Sequence, residues 1–297
     1  MFAELAANIG SAPEPVGHDE YRLRQSRLLE QLDAGDLLII CSRPPAVRTN
    51  DVEYPYRNNS DMMYLCGWND KDSVLIAQHT GDTWSVELFV QPRDVLMEIW
   101  NGRRPGTEGA VEGWPIDAAH SMDDLETVLE DLLVKCSKVY LRSKFNSDVD
   151  AQVDSAMSRR DRDRQQHGIG PVAIVDPSNL IAELRLTKSP AEIAQMRHAC
   201  EISSIAHVAA MKHAKPNIGE WQLEAILEGF FRFAGASGIA YPSIVGCGDN
   251  ATILHYNSNQ MSCGDGEVVL IDAGGEYRGY AADITRSWPI NGKFSPA

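Results

Sequence analysis

Apolar positions along this chain follow two rhythms. Asp36–Cys41 (DLLIIC), residues 72–79 (DSVLIAQH), residues 85–91 (SVELFVQ) and Lys138–Leu141 are short aliphatic and β-branched runs, which predict strands. Residues 20–33, 122–135 and 148–164 carry apolar residues three and four apart, which predict helices; Leu28, Leu29 and Leu32 share one side of the first. Thr80-Gly81-Asp82 predicts a turn between the second and third strands. Residues 42–50 form a polar loop. Residues 53–68 (EYPYRNNSDMMYLCGW) read as a loop followed by a strand. Residues 96–106 start helical and then expose Trp100, Arg103 and Arg104. Strands interleaved with helices predict an α/β unit, ending near Asp176-Pro177-Ser178.

A second unit opens with Ser189-Pro190-Ala191-Glu192. Serine at the N-cap, proline at the first helical position and glutamate at the third form a capping box. The helix predicted from it runs toward Lys212, followed by another over residues 220–234 that stops at Gly235. Residues 240–245, 252–256, 267–273 and 280–290 then read as strands. The organisation expected is therefore a flexible N-terminal extension (1–17), an α/β domain (18–176) and an α+β domain (177–297).

Composition narrows the function classes. The 297 residues are 43% hydrophobic and 23% charged, and the formal net charge is −15. That charge argues against a nucleic-acid backbone or an anionic membrane surface as partner. The one basic cluster, residues 159–164 (RRDRDR), alternates with aspartates and reads as a solvated segment. Six cysteines show no C-x-x-C spacing, so buried free thiols and a reducing, cytoplasmic setting are expected. The first 17 residues hold no Lys or Arg and read as neither a secretory nor a transit signal.

The chemistry concentrates in residues 268–288, VVLIDAGGEYRGYAADITRSW. A strand ends at Asp272, glycines reverse the chain, and a second strand returns through Asp283. A two-residue turn at Tyr277-Arg278 sets Asp272 opposite Asp283, with Cβ atoms about 5 Å apart on one face. Two carboxylates so close repel, and a cation between them would relieve that. A pair of divalent metals, a proton-sharing carboxylate dyad and an ordinary turn with solvated aspartates all remain open on this arithmetic. His255, at the end of an ILHY run, is in a suggestive place, but a lone histidine is more often a hydrogen-bonded structural residue than a functional one. The G-x-G-x-x-A at residues 246–251 is not a dinucleotide fingerprint, because strand-like TILHYNSN follows it where a helix is required. No G-x-x-x-x-G-K-[ST], G-x-S-x-G or H-E-x-x-H is present.

Five segments together resemble the Xaa-Pro aminopeptidase family, creatinase-like dimetal peptidases of pita-bread fold. They are EYPYRNNSD (53–61), EIWNGRR (98–104), RLTKSPAEI (185–193), YPSIVGCGDNATILHY (241–256) and LIDAGGEYRGYAADITRSWPINGKF (270–294). The resemblance implies an α/β creatinase-like N-terminal domain followed by an incomplete α+β pita-bread domain. It implies Asp272 as a bidentate ligand of one metal and Asp283 as the carboxylate bridging two, with Mn²⁺ the expected ion. It implies His255 as the histidine beside the scissile peptide, and Trp100 as a residue that a neighbouring subunit extends toward the active site in a dimer or tetramer. The implied reaction is hydrolysis of the Xaa-Pro bond of peptides by a metal-bridged water. A prolidase and a non-catalytic pita-bread binding module are the alternatives. The family pattern also needs one His and two Glu as ligands, and residues 284–297 contain no His, Asp or Glu. The 297-residue chain by itself is therefore expected to be a partial sequence and inactive.

Overall fold

The computed structural model describes residues 2–163 and 170–296, so Arg164 of the RRDRDR segment lies outside the described residues. The chain divides into two compact units. One comprises residues 17–187, the other residues 2–16 together with 188–296.

The first unit is built on a six-stranded mixed sheet, ordered Ala118–Ser121, Trp84–Val90, Val74–His79, Asp36–Cys41, Lys138–Leu141 and Ala173–Val175. Asp36–Cys41 is central, antiparallel to Val74–His79 and parallel to Lys138–Leu141. Every residue of it is buried, which explains an almost continuous apolar run in place of alternation. Leu38 and Ile40 face a core completed by Leu28, Leu65 and Ile181. Leu37, Ile39 and Cys41 face another, completed by Leu129, Leu133 and Val153. One expectation fails here. Residues 60–66 form a helix, Ser60–Cys66, where a strand was expected. Its start is fixed by Asn59, whose side chain accepts from the Met62 amide at 2.8 Å, and its end by Gly67 in the left-handed region (φ 73°).

In the second unit the predicted capping box is present. Ser189 Oγ accepts from the Glu192 amide (3.2 Å) and Glu192 returns an acceptor to the Ser189 amide (2.9 Å). The helix that follows, Pro190–His213, packs beside Glu220–Phe233. Both helices cover one face of a three-stranded sheet ordered Ile244–Cys247, Val268–Asp272 and Thr285–Pro289, through Val245, Val269 and Ile271. A second small sheet orders Tyr280–Ala281, Gly275–Tyr277 and Gly238–Ile239.

Three further expectations change. Residues 2–16 are not a free extension. Phe2, on a short helix Phe2–Ala6, stacks edge-on to Phe230 at 5.5 Å, and the Gly10 amide donates to Glu201 (3.0 Å). The unit boundary falls after Thr187, past the 176/177 division expected, because Ser178–Leu186 packs onto the helix His18–Leu29 of the first unit. Not all six cysteines are free: Cys247 and Cys263 form a disulfide with Cα atoms 5.2 Å apart, a pairing that no local spacing announces. Cys41, Cys66 and Cys136 are buried free thiols, and burial pushes those of Cys41 and Cys66 up to about 12, which makes them inert. No helix among the described residues is long and apolar enough to cross a membrane.

Candidate metal centre

The segment Val268–Asp272 places its side chains alternately. Val269 and Ile271 are fully buried against the helices, so Asp272 points from the opposite face, where it is half-buried. The register differs from the expected one. Asp272 pairs with Thr285, and Tyr277 pairs with Tyr280. The turn is therefore Arg278-Gly279, not Tyr277-Arg278. Both turn residues have positive φ (48° and 86°), as a type I′ turn requires, and glycine occupies the second position. The displacement moves Asp272's partner by two residues. Side chains alternate with period two, so Asp283 stays on the same face as Asp272, diagonal to it instead of directly opposite.

A residue not singled out from the sequence joins the two aspartates. The Tyr241 hydroxyl lies at hydrogen-bond distance from Oδ1 of Asp272 and 3.1 Å from Oδ1 of Asp283. Burial, then the adjacent carboxylates, pushes the Tyr241 hydroxyl far above its ordinary value, so it remains a proton donor at every working pH. Tyr241 precedes the strand Ile244–Cys247, whose Ile244 pairs with Asp272. That adjacency was the available signal: a hydroxyl-bearing ring entering the strand beside the Asp272 strand.

Support also comes from behind. His207 is buried on the helix Pro190–His213, and its Nε2–H donates to the carbonyl of Ala273, the residue after Asp272 (3.0 Å). Burial lowers its pKa below the ordinary 6.5. With a folded-state pKa below the unfolded one, the unfolded chain binds the extra proton first as pH falls. The contribution of His207 to stability is therefore complete above about pH 6.5 and is lost as pH drops through the folded value. The urea midpoint of unfolding is expected to stay level above pH 7 and to decline below 6.5, and His207→Gln should flatten that decline. An unchanged slope in the variant would place the acid sensitivity elsewhere.

His255 lies on an exposed turn, not at the end of a strand. Residues 248–252 form a 3₁₀ turn where a strand over 252–256 was expected. Among the described residues no hydrogen bond ties His255 to either aspartate. Trp100 lies in the first unit on the helix Val95–Asn101. None of that helix's residues is buried, and Trp100 is 84% exposed.

The donor set suits a divalent cation in part. Two carboxylates converge on one hydroxyl from a face with small neighbours, Ala273 and Gly274. Hard oxygen donors of this kind suit Mn²⁺ or Mg²⁺. No group of three or more His, Cys, Asp or Glu among the described residues would close a coordination shell.

Comparison with known proteins agrees with this architecture. Residues 21–140 match the aminopeptidase P N-terminal domain, and residues 194–297 match metallopeptidase family M24. The chain is 39% identical to an Xaa-Pro aminopeptidase of Escherichia coli over 95% of its own length and 64% of that protein's. It is 31% identical to human Xaa-Pro aminopeptidase 3, covering 96% of this chain and 58% of that one. Among solved structures, a histidine-to-alanine variant of E. coli aminopeptidase P superposes with a TM-score of 0.90 at 38% identity (95% of this chain, 64% of that one). Proline aminopeptidase P II from Yersinia pestis superposes with a TM-score of 0.89 at 40% identity (95% and 65%). The chain thus spans a little under two thirds of the length of these relatives. It therefore joins an aminopeptidase P N-terminal domain to metallopeptidase family M24 sequence that is incomplete relative to those structures.

Proposed function

We propose that the protein is a metalloaminopeptidase that removes the N-terminal residue from peptides with proline in second position. The observation that carries this reading is the convergence of Asp272 and Asp283 on Tyr241, at the open face of an M24 sheet. Relatives named Xaa-Pro aminopeptidase, and a zinc-substituted E. coli aminopeptidase P in complex with product, support it.

In this reading Asp272 and Asp283 would together hold the ions, Asp283 as the carboxylate common to both, with Mn²⁺ the ion we favour. Bound there, the ions would supply a nucleophilic water at neutral pH and polarise the peptide carbonyl. The chain's own residues do the rest. The single Tyr241 O–H is shared between one oxygen of each carboxylate, which orients them and leaves the other oxygens for coordination. His207 fixes the backbone directly after Asp272. His255 extends from its exposed turn to hydrogen-bond the peptide beside the scissile bond. Trp100, with its exposed neighbours Leu96 and Ile99, forms a contact between subunits of a homo-oligomer. The buried free thiols favour a cytoplasmic location, although the Cys247–Cys263 bond pulls the other way.

The described residues offer too few donors for two ions, and we expect residues 1–297 by themselves to be inactive. The test uses the natural protein with Mn²⁺ and an Arg-Pro-Pro-type peptide. Release of the N-terminal residue with about two ions bound per chain is expected. Cleavage of Xaa-Pro dipeptides only would make it a prolidase, and a chain that retains no metal would be a binding module.

A further inference from the structure

We infer that Glu220 is a positioning residue that anchors the His255 turn to the strand bearing Asp272; the proposal rests on the reading of His255 as a substrate contact. Glu220 opens the helix Glu220–Phe233 and is completely buried. A buried carboxylate is costly unless its lone pairs are filled. Here all the donors come from one loop. Oε1 accepts from the Cys247 amide (2.8 Å) and from Asn250 Nδ2 (3.1 Å). Oε2 accepts from the Tyr256 hydroxyl (2.8 Å) and from the Met261 amide (2.9 Å). The Glu220 amide in turn donates to the Met261 carbonyl (2.9 Å).

One oxygen therefore holds the entry of the loop and the other holds its exit. His255 lies between them. Its neighbours Ile253 and Leu254 are 51% and 89% exposed, so packing does little to fix the turn. Hydrogen bonds must do it. The entry strand Ile244–Cys247 is in register with the Asp272 strand, Ile244 opposite Asp272. Asn259 adds a second tie to that strand, accepting from the Val245 amide (3.0 Å) and donating to the Ser243 carbonyl (2.8 Å). Through these bonds the helix N-terminus sets where His255 stands relative to the two aspartates. Glutamine cannot replace the glutamate. Its amide group donates, and one end of the loop would then present a donor to a donor.

The natural protein loaded with Mn²⁺ and its Glu220→Gln variant provide the test. In the variant, amide hydrogen exchange over residues 247–261 should quicken by about ten-fold or more, while Val268–Asp272 and Gly275–Tyr277 keep their protection. The kcat for an Xaa-Pro peptide should fall by about ten-fold with metal content unchanged. Adding Glu220→Gln to His255→Ala should cost less than about two-fold further, because Glu220 acts through His255. Unchanged exchange in the loop, or fully multiplicative losses in the double variant, overturns the proposal. If the wild type cleaves no Xaa-Pro peptide, the functional reading falls and the exchange arm alone decides the anchoring. If Glu220→Gln does not fold, Tyr256→Phe removes one of the four donors. It should quicken exchange over residues 253–261 about three-fold, and no change there overturns the proposal.

Discussion

Gly274→Ala leaves the Asp272–Asp283 hairpin unable to close. A Cβ built at Gly274 lies 1.9 Å from the Ala282 carbonyl oxygen and 2.5 Å from its carbon. The obstacle is backbone, not the end of a flexible side chain. It is also held in place, because the Ala282 amide donates to Gly275 (3.0 Å) and the Ala273 amide to Ile284 (3.1 Å). Glycine is needed here for close approach, not for an unusual φ. Overpacking a core typically costs 1–3 kcal/mol, and this clash falls on a fixed ladder, so a loss above about 3 kcal/mol is expected. Gly238→Ala is the control. It lies in the neighbouring strand, its Cβ meets nothing within 4 Å, and its loss should stay within about 1 kcal/mol. Urea unfolding of the two variants measures the difference. Equal midpoints would mean that the strands can separate at Gly274 without cost.

The sequence made local geometry legible and left long-range convergence hidden. The capping box at Ser189 was readable from four letters because both of its bonds join residues three apart. The central strand Asp36–Cys41 was readable because burial on both faces demands an unbroken apolar run. Ser60–Cys66 was misread because a short apolar run fits helix and strand alike; Asn59 and Gly67 were the deciding signals. The hairpin turn was displaced by one residue, because Gly279 takes the second turn position. The face of the two aspartates survived, since the register error was an even number of residues. Tyr241 and Glu220 were missed for a common reason. Tyr241 meets partners 31 and 42 residues away, and Glu220 meets partners 27 to 41 away. No periodicity encodes such separations. Phe2 against Phe230 is the extreme case, and it turned an apparent tail into part of the second unit's core.

Asp283→Asn should move metal binding and metal-free stability in opposite directions. In the natural protein, removal of the carboxylate proposed to serve both ions is expected to weaken Mn²⁺ binding by more than the roughly 10–100-fold that loss of an outer partner costs. Tyr241→Phe leaves both carboxylates in place and removes only the donor that orients them, so its effect should fall within that 10–100-fold range. Without metal the order reverses. Asp272 and Asp283 are like charges gathered around a single hydroxyl, and the hydroxyl is the donor they share. Asn at 283 removes the repulsion, so the metal-free variant should unfold at the same or higher urea concentration than wild type. Phe at 241 removes the shared donor and leaves the repulsion, so the metal-free variant should unfold earlier. Calorimetric Mn²⁺ titration and chelator-treated urea melts of the same two proteins read both effects. A Tyr241→Phe protein that binds metal more weakly than Asp283→Asn would shift the coordinating role away from the carboxylates. A metal-free Asp283→Asn protein that unfolds early would mean that Asp283 holds the fold together by contacts other than those it makes at this face.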